Sequence, residues 1–194
     1  MLIHTAERPA VVHERCSRIG GRWGSAAPTR LSAAAQRNGS EKGEPALSDV
    51  TMPVTGGCQC GFVRYELTGK PLPIVICHCK ECQKQTSSAF GMTLPAFRRD
   101  FKLLSGTLKE WRRLADSGRE VVCYFCPDCG TRLYHSSSLG PDYLHLKPGT
   151  LDDTSWLEPV AQVWTKSVQP WLKLANELVS YPGQPDSIAA LIKR

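Results

Sequence analysis

No apolar run in this 194-residue sequence approaches the roughly twenty residues that a membrane-spanning helix requires. The longest runs, around residues 72–77 and 121–126, are strand-sized and contain cysteine. A helical membrane span is excluded on that ground. A lysine-free apolar segment near Met1 is also missing, so no secretory signal is expected. The first 50 residues hold a single aromatic side chain, Trp23, and residues 15–40 hold five arginines but no Asp or Glu. Such a stretch has too little apolar surface to offset the entropy of ordering. Residues 1–51 are therefore expected to be a disordered extension, or to precede a true start at Met52. A transit peptide, Arg-rich and acid-poor, is the further reading, against which Glu7 and Glu14 count.

The sequence is rich in cysteine. Eight of its nine cysteines, all but Cys16, lie between residues 58 and 129. The chain is neither short nor marked for export, so metal ligation is favoured over a disulfide framework. That reading changes the charge. Seven thiolates on two divalent ions would lower the formal net charge from +6 to +3. The basic isoelectric point of 8.9 is thus weak support for nucleic-acid binding.

From Met52 onward short β-branched and aromatic runs are broken by Gly and Pro. Strands are expected around residues 62–67, 74–76, 90–94, 102–104, 108–114, 120–125, 132–135, 143–146 and 160–165. Helices are expected only at residues 80–86 and 187–193. The pattern predicts an all-β domain over residues 52–180, followed by a tail, 181–194.

Three cysteine motifs carry the chemistry. Cys126-Pro127-Asp128-Cys129-Gly130 reads as a metal knuckle, with Gly130 free to take positive φ at its exit. Cys58-Gln59-Cys60 follows two glycines, and in extended chain its two sulfurs share a face. Pairing it with the knuckle would complete a closed four-sulfur site. Cys77-His78-Cys79-Lys80-Glu81-Cys82 offers three sulfurs within six residues, and three protein ligands leave one position for chemistry. Alternatives stay open at this level. Cys58 and Cys60 could pair with Cys77 and Cys79, His78 could close the trio, and Cys123 could join a site or be a buried core thiol. His135 and His145 read as structural histidines. His78, Lys80 and Lys84 are candidates to move a proton or meet a substrate carboxylate. The basic pairs Arg98-Arg99 and Arg112-Arg113 could face a polyanion, although no aromatic-interleaved basic stretch accompanies them.

Together these motifs resemble the glutathione-dependent formaldehyde-activating enzyme family and its centromere protein V relatives. Ser88-Ala89-Phe90, Gly149-Thr150-Leu151-Asp152-Asp153 and the stretch from Trp164 to Trp171 match as well, so the resemblance covers roughly residues 54–174. It implies an all-β, two-zinc fold of packed antiparallel sheets shared with Mss-four-like proteins and methionine sulfoxide reductase B. It implies a structural zinc on Cys58, Cys60, Cys126 and Cys129, and a catalytic zinc on Cys77, Cys79 and Cys82. It also implies a carbon–sulfur lyase of cytoplasmic setting (mitochondrial if the extension is a transit peptide), joining glutathione or a similar thiol to a small carbonyl such as formaldehyde. A non-enzymatic zinc-scaffolded module of the centromere protein V type is the alternative. Sulfoxide reduction would need a reactive cysteine outside the metal sites. Two departures from the family pattern stand out: Ser87 where glycine is usual, and Cys123 where arginine is expected.

Overall fold

The computed structural model describes residues 50–174 and 178–185, all within the unit Lys42–Arg194. The extension up to residue 49 and the expected helix at 187–193 lie outside the described residues.

Among the described residues, short apolar and β-branched runs form eleven strands, one short α-helix and three 3-10 turns. In chain order the strands and the α-helix are β1 Val54–Gly57, β2 Arg64–Leu67, β3 Ile74–Cys77, α1 Lys80–Thr86, β4 Gly91–Phe97 and β5 Phe101–Ser105. There follow β6 Lys109–Leu114, β7 Glu120–Phe125, β8 Arg132–Ser137, β9 Tyr143–Leu146, β10 Pro159–Val163 and β11 Val179–Ser180. Strands β1, β2 and β5 form a small sheet. The other eight form a larger one in the order β11-β10-β3-β4-β9-β8-β7-β6. The all-β expectation holds. The sheets are antiparallel except at β10, which runs parallel to both β3 and β11.

The two sheets bury one core. Tyr65 and Leu67 of β2 meet Leu94 and Ala96 of β4, Leu133 of β8, and Leu144 and Leu146 of β9. A chain of aromatic rings crosses the interface: Tyr65 to Phe101 at 5.3 Å, Phe101 to Tyr134 at 5.1 Å, and Tyr134 to Tyr124 at 4.5 Å. Each fully buried side chain of this kind contributes roughly 1.5–3 kcal/mol. Asp152, from the Gly149 to Asp153 motif, ties the segment after β9 to the small sheet. Its backbone N–H donates to the Thr55 carbonyl at 3.0 Å, and its carboxylate accepts both terminal nitrogens of Arg64. That guanidinium holds the Asp152 carboxyl below the usual carboxylate range.

Strand β4 runs on through Pro95, where the sequence reading stopped. The Pro95 carbonyl accepts from Leu72 N–H at 2.8 Å, on the side where β3 has already left the ladder. The missing proline N–H faces that same side, so no ladder bond is lost.

The larger sheet has two faces. Residues 94, 96, 144 and 146 face the core. The alternate residues, Thr93 and Pro95, Tyr143 and His145, His135 and Ser137, face the other way and line a cavity of about 650 Å³. Helix α1 lies over this second face.

Candidate functional site

Two groups of sulfur atoms come together, and in each group all sulfurs lie within 4.8 Å of one another. The first is Cys58, Cys60, Cys126 and Cys129; the second is Cys77, Cys79 and Cys82. The pairing of Cys58 and Cys60 with Cys77 and Cys79 is excluded by this arrangement.

In the quartet, Cys58 and Cys60 leave β1, and Cys126 and Cys129 form the turn between β7 and β8. The turn closes through Gly130 N–H on the Cys126 carbonyl at 3.0 Å, with Gly130 at φ +72. The two knuckles touch where Gln59 N–H donates to the Thr131 hydroxyl, 3.1 Å away. Sulfur separations of 3.4 Å for Cys58–Cys60 and 3.8 Å for Cys60–Cys126 are too long for disulfides. They are close to the edge of a tetrahedron with metal–sulfur bonds of about 2.3 Å, roughly 3.8 Å. Burial raises the Cys126 thiol. In Cys129, burial is outweighed by donors from Thr131, and the thiol drops to about 6.

The trio spans a strand-to-helix junction. Cys77 ends β3, Cys79 is the N-cap of α1, and Cys82 lies in the first helical turn. The Cys79 sulfur accepts the Cys82 N–H at 3.3 Å. Opposite Cys77 stands Gly91, where an added Cβ would sit 3.3 Å from Cys82 Cβ and from Thr86 Cγ2, so the helix lies close on β4. Three sulfurs this close cannot all ionise unaided. Cys79, hydrogen-bonded by Cys77 and then Cys82, is held down at about 2. Cys77 is pushed far up by Cys79 and Cys82. Cys82 goes to about 11: Cys77 pulls it down, but Cys79 and burial outweigh that pull. A cation among them would remove the conflict, and both donor sets suit a soft-ligand divalent metal such as zinc.

His78 is not a ligand. It directly follows β3 and is fully buried away from the trio's cavity, with Nε2 3.0 Å from Gln162 Oε1 and its ring 6.0 Å from Phe90. Gln83 fixes the same spot by donating to the His78 carbonyl at 2.7 Å and to the Ser167 carbonyl at 2.9 Å. Cys123 belongs to neither cluster. It is buried on β7, its sulfur accepting the Gln85 amide at 3.3 Å. Cys16 lies outside the described residues. Ser87 takes φ 51 as the C-cap of α1, a left-handed position that glycine would occupy without strain.

Cys77, Cys79 and Cys82 open on the 650 Å³ cavity, whereas no member of the quartet lines it. Of the proposed proton or carboxylate partners, none faces it. His78 is buried elsewhere, Lys80 reaches Gln83 at 3.4 Å, and Lys84 pairs with Glu81 at 3.1 Å. The polar residues that line it include Arg113, Arg119, His135, Ser137, Tyr143 and His145. Strand alternation was the available signal for these. Arg112 and Arg113 illustrate it: Arg112 turns outward to Glu110 and Glu120, at 2.8 and 3.0 Å, while Arg113 turns into the cavity. The pair is therefore no continuous basic patch. Nor is Arg98-Arg99, where Arg98 bonds the Pro141 carbonyl and Arg99 stacks on Phe97. Sequence reading also missed Lys147, only 8% exposed, whose ammonium has no hydrogen-bond partner. Burial lowers it, and the Cys82, Cys123 and Cys77 sulfurs pull it back up.

His135 and His145 stack at 4.7 Å. Burial, then Lys147 and Arg119, hold His145 down at about 4, and burial drives His135 well down too. An unfolded histidine titrates near 6.5. Below that pH the unfolded chain takes up a proton that the folded protein refuses until about pH 4, so stability is full above 6.5 and falls across this window. His145→Gln should flatten the melting temperature against pH between those limits, by up to the order of 3 kcal/mol. An unchanged slope would contradict the assignment.

The chain is thus an all-β domain with two preassembled cysteine clusters that could each hold a metal ion, a quartet and a trio that opens on a cavity. The family model described as glutathione-dependent formaldehyde-activating enzyme matches residues 53–167, more than half of the chain, and the protein belongs to that family. A crystal structure of a Rhodobacter sphaeroides protein from a structural genomics programme is similar at 20% identity and a TM-score of 0.43. The match covers 52% of this chain and 90% of that one. Among the described residues no helix is long and apolar enough to cross a membrane.

Proposed function

We propose that the protein is a zinc-dependent enzyme of the carbon–sulfur lyase class that binds a small thiol, glutathione or one like it, and adds it to formaldehyde or a similar carbonyl, or reverses that addition. The opening of the Cys77, Cys79 and Cys82 trio onto the cavity carries this reading. Zinc held by these three sulfurs would supply a fourth position for a thiol sulfur and keep that sulfur ionised near neutral pH. In the forward reaction the thiol releases its proton to solvent, the sulfur–carbon bond forms as the carbonyl π bond breaks, and the oxygen takes up a proton from solvent.

The remaining work falls to the chain. Cys77 on β3 and Cys79 at the helix cap fix the sulfur frame, and Gln85 roofs the adjoining face. Buried Lys147, electrostatically coupled to the Cys82 and Cys77 sulfurs, would help to offset the single net negative charge of a three-thiolate divalent centre. Cys58, Cys60, Cys126 and Cys129 would hold a second zinc with a structural role. The eight unpaired cysteines among the described residues fit a reducing setting such as the cytoplasm. Methionine sulfoxide reduction is disfavoured, because among the described residues the one thiol outside the two clusters, Cys123, is buried beside Gln85 and does not line the cavity.

The test is spectroscopic. Cobalt-substituted protein titrated with glutathione should show a changed absorption spectrum as sulfur enters the fourth position. An unchanged spectrum would mean that the metals are scaffold only, as in a binding module.

A further inference from the structure

The cavity is polarised. The trio and Glu81 stand on β3 and α1, while Arg113, Arg119 and His135 stand on β6, on the turn before β7 and on β8. In sheet order β3 and β7 are four strands apart, yet Gln85, one helical turn beyond Cys82, reaches Cys123 of β7 at 3.3 Å. The sheet therefore curls, and brings the arginine wall round to within a small molecule's length of the trio.

That wall is short of partners. Arg119 Nε and His135 Nδ1 are buried with no hydrogen-bond partner. Neither Arg113 nor Arg119 forms an ion pair among the described residues. Among those residues Glu81 is the single acid lining the cavity, and it already pairs with Lys84. Guanidinium and imidazole donors left desolvated are costly, and a carboxylate is their natural complement because its two oxygens match the guanidinium fork.

We infer that Arg113 and Arg119, with His135 beside them, form a carboxylate subsite that selects thiols bearing an anionic tail several bonds from the sulfur. The inference deepens the proposed function and rests on the trio as the thiol site. A bare small thiol leaves this wall unpaired. A peptide-like thiol spans from sulfur to arginine within the 650 Å³ available.

The metal-loaded full-length protein is titrated by calorimetry with S-methylglutathione, which keeps both carboxylates but has no free thiol, and with its diethyl ester. The acid should bind at least about tenfold more tightly than the ester, the scale of one charge-assisted bond. Arg113→Gln and Arg119→Gln should each erase most of that preference, and Arg119→Lys should retain part of it. Equal binding of acid and ester to the unsubstituted protein, or no binding of the acid at millimolar concentration, would overturn the inference without any variant. So would a preference that survives both substitutions. Inorganic phosphate displacing the acid better than succinate does would assign the wall to phosphate tails instead and equally overturn it. Failure of the thiol reading shows elsewhere, in a cobalt spectrum that ignores glutathione.

Discussion

Cys79→Ser should cost the protein its thiol–carbonyl turnover and one of two zinc ions while leaving the fold in place. The substitution is selective for a structural reason. Cys79 is both a sulfur of the trio and the N-cap of α1. Serine is among the best N-cap residues, so the helix start survives while the thiolate does not. Helix α1 buries none of its residues, and the core between the sheets contains no member of the trio. A melting temperature within a few degrees of the parent is therefore expected, about 1 kcal/mol or less. The loss of rate should be at least about 100-fold. A free thiol is only a few per cent ionised at neutral pH, and positioning multiplies that deficit. Elemental zinc analysis, calorimetric melting and turnover on one preparation decide the matter. Full turnover with one zinc lost would refute the mechanism.

Cys126→Ser should behave in the opposite way and leave little folded protein to assay. Cys126 is completely buried and belongs, with Cys58, to the main core cluster. A structural zinc contributes on the order of 10 kcal/mol in small zinc domains, comparable to the whole stability of a domain of this size. Losing one of four sulfurs also leaves a buried hydroxyl in their midst. Circular dichroism should show collapse of the β signal, and a strong chelator should reproduce it with the parent protein. A soluble variant melting at the parent temperature would show that the quartet does not hold the fold together. The contrast between the two serine variants separates a working metal from a holding one.

Much of the domain was legible in the sequence because its signals are local. The spacing C-x2-C with a following glycine marks a knuckle whatever surrounds it. The expected helix at residues 80–86 coincides with α1, and the runs at 120–125 and 143–146 coincide with β7 and β9. The short edge strands β1 and β11 were missed. Val54–Gly57 is half glycine, and Val179–Ser180 is two residues long, so pairing rather than propensity makes them strands. The cavity wall was hidden for another reason. His135, His145 and Arg113 gain meaning only when β6 to β9 are laid side by side and the sheet curls under α1, a relation between residues far apart in sequence. His78 was ambiguous as a neighbour of three ligands, and Gln162, 84 positions away, settles its direction.

The two clusters differ in how far apart in the chain their members lie. The trio falls within six consecutive residues, while the quartet joins Cys60 to Cys126 across 66 positions. Closing so long a loop has an entropic cost that a six-residue segment avoids. A nascent chain emerging from the ribosome could thus capture its first ion at residues 77–82 before most of the sheet exists. An ion on the quartet would have to wait until the turn after β7 has been synthesised and docked, so its capture would come later and would tie the start of the domain to its middle.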